Sequence, residues 1–261
     1  MSRLAILAIS LGVWVAAGAE PPPSAGEEAR LLEDARQFAL DFTRTLPDFI
    51  CTQFVRRSVQ QANGQWKALD RLTVQLTFFG RKENARLLTV DGLPTDKTME
   101  SLGGPVSEGE FGGSLWDVFH PQSATDFQWR SWSTLRKRRV AVYSYRILRA
   151  HSRYLLFFGP NVSHAETVTV GYHGELCIDR DSDMVLRLTA ETDDVPAGFP
   201  IREVLKKVEY DYASVSGRRY FLPVRAEISL QRGPVRTRNE VDFTGYRKFA
   251  AESTIDFDSP R

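Results

Sequence analysis

From Phe49 onward the chain alternates apolar and polar residues with a period of two, the spacing of a strand whose two faces meet different surroundings. The clearest run is Val224 to Gln231, in which Val224, Ala226, Ile228 and Leu230 point one way and Arg225, Glu227, Ser229 and Gln231 the other. Met184 to Glu191 repeats the pattern with Met184, Leu186, Leu188 and Ala190 on one side, and so do Leu72, Val74, Leu76 and Phe78. Aromatic and β-branched residues dominate Val140 to Ile147, Thr167 to Tyr172 and Val208 to Val215, as strands favour. Turn sequences separate the runs: Asn63-Gly64, Asp91-Gly92, His173-Gly174, Ser216-Gly217 and Arg232-Gly233-Pro234. Such short connections require antiparallel neighbours. On the order of ten or eleven strands result, too many for a flat open sheet, so the fold class is mainly β: a large curved antiparallel sheet or half-open barrel.

Two departures from this period predict helices. Leu31, Ala35, Phe38 and Phe42 recur at steps of three and four, with Leu32 and Ala39 beside them, which predicts an amphipathic helix over Glu27 to Leu46 ended by Pro47. Between Leu93 and Gln122 the strand pattern lapses. There Ser107 followed by Glu110 offers a capping box for a short helix, Ser107 to His120, carrying Phe111, Leu115 and Phe119. Gly109, Gly112 and Gly113 leave that helix dependent on tertiary support, so the segment reads either as a mobile lid or as a plug covering the core.

The chain opens with Arg3 and an apolar run from Leu4 to Gly18 that ends in the small residues Ala17-Gly18-Ala19, the pattern of a cleavable signal peptide over residues 1–19. The run is shorter than a bilayer span, so no stable membrane anchor is expected after cleavage, and the protein is expected to be periplasmic or secreted. Residues 20–26, with Pro21 to Pro23, read as a spacer, and residues 27–261 as a single domain. Lys and Arg number 34 against 33 Asp and Glu. With no net field, nucleic acid is not an expected partner, and any recognition has to be local.

Several patterns together resemble the LolA-like lipoprotein-carrier superfamily. Asp179 to Arg187 resembles that family's hairpin, in which a strand ending in Asp turns and returns with an apolar-Arg pair. Val208 to Tyr212, Val215, Ser216-Gly217 and Leu222-Pro223 resemble the next hairpin. Phe49 to Arg57 and Tyr246 to Phe249 are more similar to a group of uncharacterised exported bacterial proteins. The resemblance implies a curved sheet, capped by helices, that encloses acyl chains or presents a surface to an envelope protein. It carries over no functional residue by position and implies no cofactor.

If acyl chains are held, the inward side chains should include Leu72, Val74, Leu76, Phe78, Val224, Ala226 and Ile228, with Trp116 from the second helix. The tryptophans and the sixteen phenylalanines can equally serve as plain core. A rival reading is a secreted hydrolase using His151 or His173 with a nearby acid, although His151 and Ser152, if on a strand, would point to opposite faces. A third is a sensor or structural envelope module without a small ligand. Asp179, Asp181 and Asp183 suggest calcium, but Met184 and Ala190 stand where the loop template needs Gly and Glu, so no metal is expected. Arg136-Lys137-Arg138-Arg139 reads as an exposed hairpin tip before it reads as a headgroup site. Cys51 and Cys177 are open to two readings: one disulfide, or two buried free thiols on separate strands.

Overall fold

The computed structural model describes residues 21–103, 109–159 and 165–249. The expected signal peptide and Ser107 lie outside the described residues.

Helix α1 (Ala25–Thr45) starts two residues before the predicted boundary because Ser24 caps it, its hydroxyl accepting the Glu27 N–H at 3.3 Å, with Glu27 and Glu28 in the positive first turn. Leu31, Ala35, Ala39 and Phe42 form its buried stripe. Thirteen strands follow among the described residues: β1 (Phe49–Gln60), β2 (Trp66–Phe79), β3 (Lys82–Val90), β4 (Leu93–Pro94), β5 (Asp126–Leu135), β6 (Arg138–Ile147), β7 (Leu155–Phe158), β8 (Glu166–Thr169), β9 (Gly171–Asp179), β10 (Val185–Asp193), β11 (Ile201–Val215), β12 (Arg218–Arg232) and β13 (Val235–Lys248). Between β4 and β5 lie α2 (Met99–Leu102) and α3 (Gly113–Phe119).

Eleven strands make one antiparallel sheet in the order β4-β3-β2-β1-β13-β12-β11-β10-β9-β6-β5, and β7 and β8 form a separate ribbon. The edge strands β4 and β5 do not pair with each other, so the sheet stays open and is not a barrel. One face is dry: Phe49, Cys51 and Val55 of β1, Tyr143 and Tyr145 of β6, Leu186 and Leu188 of β10 and Val208 and Tyr210 of β11 are buried in a single core with α1 and α3.

Local expectations fail at three places. His173-Gly174 is not a turn but lies inside β9, which pairs there with β10 and β6. Glycine is needed at 174 for a tertiary reason: a Cβ there would sit 1.9 Å from the Thr189 carbonyl oxygen, to which the Tyr145 hydroxyl donates at 2.7 Å. The run Thr167 to Tyr172 is divided between β8 and β9, with Val170 fastened instead by its N–H to the Tyr154 carbonyl. The second helix starts at Gly113, and Glu110, ahead of it, pairs with Lys206.

Candidate functional site

Strand β11 shows how the two faces of the sheet diverge. Val204, Lys206, Val208 and Tyr210 point towards the helices, whereas Leu205, Lys207 and Glu209 point away. On the helix side Leu72, Val74, Leu76, Phe78, Ala226 and Ile228 are buried. Val224 does not follow them: β11 and β12 match Glu209 to Arg225 and Tyr210 to Pro223, which leaves Val224 as the extra residue of a bulge, half-buried. Trp116, also half-buried, stacks on His120 at 3.9 Å and lies under the Arg153 guanidinium at 5.0 Å.

Space beside the Leu72 to Phe78 row is taken by the protein itself. Phe111 lies 5.2 Å from Phe49, 6.1 Å from Phe78 and 5.6 Å from Phe243 between ring centroids. Gly109 and Gly112, with φ of 87° and 110°, give the backbone the turns that aim this ring inward. Of the two readings of the 93–122 segment, this geometry is that of a plug. A polar clamp accompanies it: Lys206 Nζ lies 3.1 Å from Glu110 Oε1 and donates to Ser114 Oγ at 3.0 Å. Burial by itself would lower the Lys206 pKa, but the Glu110 carboxylate, together with Tyr154 and Glu83, outweighs it and holds the ammonium above its ordinary range.

The opposite face carries an open groove of about 670 Å³ that runs from Trp66 on β2 to Arg130 on β5. Small residues, among them Ser144, Gly174, Thr189 and Ser229, contribute to its lining. Charged side chains around it are tied in cross-strand pairs. Lys207 meets Glu227 at 3.0 Å, Arg236 meets Glu203 at 2.6 Å, and Arg238 lies 4.3 Å over the Trp66 ring. The ladder continues beyond the groove with Arg187 to Glu209 at 2.8 Å and Arg225 to Asp242 at 3.1 Å. Pairs of this kind hold long side chains in one geometry even where their net contribution is small.

His173 stands in the groove with Nδ1 2.9 Å from Asp193 and Nε2 3.8 Å from Glu191. The acid that a hydrolase would need is there, yet both ring nitrogens face carboxylates, and among the described residues no hydroxyl or thiol is bonded to the ring. His151 is not on a strand but in a 3-10 turn, Arg149–His151, exposed.

Cys51 and Cys177 are buried free thiols, so the disulfide reading is corrected. Cys51 is on β1 and Cys177 on β9, five strand steps apart in the sheet, beyond the reach of a sulfur bridge. Burial, with Glu83 adding to it, pushes the Cys51 thiol up to about 12, and burial raises Cys177 as well. Asp179 is spent on the hairpin turn, accepting the N–H groups of Asp181 and Ser182 at 2.9 and 3.0 Å. Among the described residues no group of three acidic, His or Cys side chains is placed to hold a metal. The basic tip at Arg136 and Lys137, with φ of 49° and 65°, turns Arg136 to Glu209 at 3.5 Å and Arg138 to Asp179 at 2.5 Å. The charges of Arg136 and Arg138 are thereby answered within the protein.

No family model matches the sequence, and no curated protein matches it. Among solved structures, the chain is similar to a LolA superfamily protein from Nitrosomonas europaea, at 11% identity and a TM-score of 0.35 over 86% of this chain and 94% of that one. It is similar to a DUF1329 family protein from Desulfovibrio piger at 8% identity and a TM-score of 0.39, over 85% and 95%. A structure of the MucA/MucB complex of Pseudomonas aeruginosa overlays at 13% identity and a TM-score of 0.23, over 85% and 100%. At identities this low and with overlays this loose, the likeness says nothing about ligands or partners.

Proposed function

We propose that this chain is a non-enzymatic, exported binding module that holds an extended segment of an envelope protein in the groove on the helix-free face of its sheet. The observation that carries this reading is the division of labour between the faces. The apolar face is covered by α1, α3 and Phe111, while the polar face offers an open channel among ordered charges of both signs. An extended peptide matches such a channel because its side chains alternate, setting one row against the small residues and the other against the charged ones.

Photo-crosslinking from position 189, in cells that export the protein, tests the reading. A discrete protein adduct that disappears when Lys207 and Glu227 are exchanged supports it, and its absence overturns it. A second reading, an acyl ligand on the apolar face, is favoured by the aliphatic row Leu72, Val74 and Leu76 under a glycine-flanked Phe111. Lipid recovered in stoichiometric amount from the purified protein would establish that reading in place of the first.

A further inference from the structure

The two edges of the main sheet differ. At one, β4 is two residues long and ends on Pro94, and the stretch of β3 beyond it carries Lys82, Glu83 and Arg86. Short strands, proline and charge of this kind keep an edge from pairing. The other edge is β5, ten residues without proline or lysine, mostly exposed and paired with β6 on one side only. The N-terminal spacer meets its second half, where Trp132 Nε1 donates to the Pro21 carbonyl at 3.0 Å. Asp126, Gln128 and Arg130, in the first half, are exposed.

Two charges stand on that first half. Asp126 accepts from the Gln128 amide at 3.2 Å, while its cross-strand neighbour Arg146 turns to Asp193 at 3.2 Å. Arg130 donates to Ser144 Oγ at 2.8 Å, which fixes it on the face that carries the groove. Among the described residues neither Asp126 nor Arg130 makes an ion pair. They are opposite in sign and stand symmetrically about Gln128. An isologous antiparallel pairing of two β5 strands, its twofold axis at Gln128, sets Asp126 of each copy opposite Arg130 of the other. On the helix side it sets Phe127, which stacks on Phe119, opposite Trp129, which packs edge-on to Tyr143. Each of these contacts is made twice. Arg130 is the extra residue of a bulge against β6, which ends the regular stretch and limits the pairing to residues 126–130. A foreign strand would have to bring the matching charges at the matching spacing, whereas a second copy of the chain carries them already.

We infer that the chain forms a reversible twofold dimer in which β5 pairs with β5 of a second copy about Gln128, joining the two sheets edge to edge. Because the axis stands perpendicular to the sheet, both grooves lie on one face and meet at the seam, where Arg130 ends each of them. Asp126 of the partner subunit then becomes part of the groove, and the pairing itself stands whatever the groove holds. Sedimentation equilibrium of the protein recovered after export, over roughly 1–200 µM, tests this and is expected to show a concentration-dependent dimer. Asp126→Arg and Arg130→Glu each set like charges opposite one another twice and should weaken it at least about tenfold. An equimolar mixture of the two variants restores opposite charges at both contacts and should dimerise as the parent does. The double variant Asp126→Arg/Arg130→Glu should do so alone, and all three should melt like the parent, since both side chains are exposed. A parent that stays monomeric, single variants that dimerise like the parent, or a mixture no better than its components overturns the proposal. An edge that serves an extended segment of another protein instead would give the first of these results.

Discussion

Lys206 and Glu110 form a buried ion pair, with Nζ 3.1 Å from Oε1 and side chains 5% and 4% exposed, that joins the central strand β11 to the segment carrying the Phe111 plug. Removing one partner strands a charge in the core. Glu110→Gln and Lys206→Met should each destabilise the protein by about 3–5 kcal/mol, whereas the double variant Glu110→Leu/Lys206→Met should lose far less than the sum. Urea denaturation of the three proteins measures this directly.

Phe111 should behave as core, not as a cover. Phe111→Ala is expected to cost about 3–5 kcal/mol, because four aromatic neighbours, Phe49, Phe78, Phe243 and Tyr246, cannot all close on the space. Phe111→Leu should cost no more than about 1.5 kcal/mol if most of the volume is kept. A Phe111→Ala protein as stable as the parent would mean that the ring does not occupy the core in solution.

At Gly174 a methyl group would meet the Thr189 carbonyl carbon at 2.6 Å and its oxygen at 1.9 Å, both backbone atoms that cannot swing aside. Gly174→Ala should therefore destabilise by about 3 kcal/mol or more, at the upper end of overpacking effects. Gly198→Ala, with open space around it, should change stability by no more than about 0.5 kcal/mol. Thermal melts of the pair separate the two effects.

Acid should loosen the ladder at Asp242. Partial burial by itself would raise its pKa, but hydrogen bonds from Arg56 at 2.6 Å and Arg225 at 3.1 Å prevail and hold it below the usual carboxylate range. A carboxylate depressed on folding contributes stability above its unfolded value, near 4, and loses that contribution as pH falls through the lower folded value. Asp242→Asn should thus cost about 1 kcal/mol at neutral pH and show a smaller further loss than the parent below about pH 4. Urea midpoints collected across that range give both numbers.

The sheet was legible wherever one face of a strand meets the helices, because burial then imposes the period of two that appears at Leu72 to Phe78 and through β10 and β11. Legibility failed where a distant contact sets the local choice. Gly174 resembles a turn glycine, but its cause is the approach of Thr189 from β10. Val224 looks in phase, but Pro223, unable to donate to the ladder, sits beside a bulge that displaces it. Lys206 is a signal the sequence does carry: it occupies an inward position between Val204 and Val208, where a lysine needs a buried acid. The groove had no local signature, since Trp66, Arg130, His173 and Lys207 come from four different strands and only pairing brings them to one face.

One feature of the strand order bears on how such a chain reaches its native state. The strands β1 to β4 and β5 to β12 are two assemblies built mostly from neighbours in sequence, and β13, the last of the described strands along the chain, is inserted between β1 and β12. Arg56 and Asp242, joined across that seam, are 186 positions apart. Until the final strand arrives, each half exposes an unsatisfied edge, at β1 and at β12, of the kind that recruits foreign strands. β13 is thus the keystone of the sheet, and removing it would leave two adhesive half-sheets in place of a shortened version of the native one.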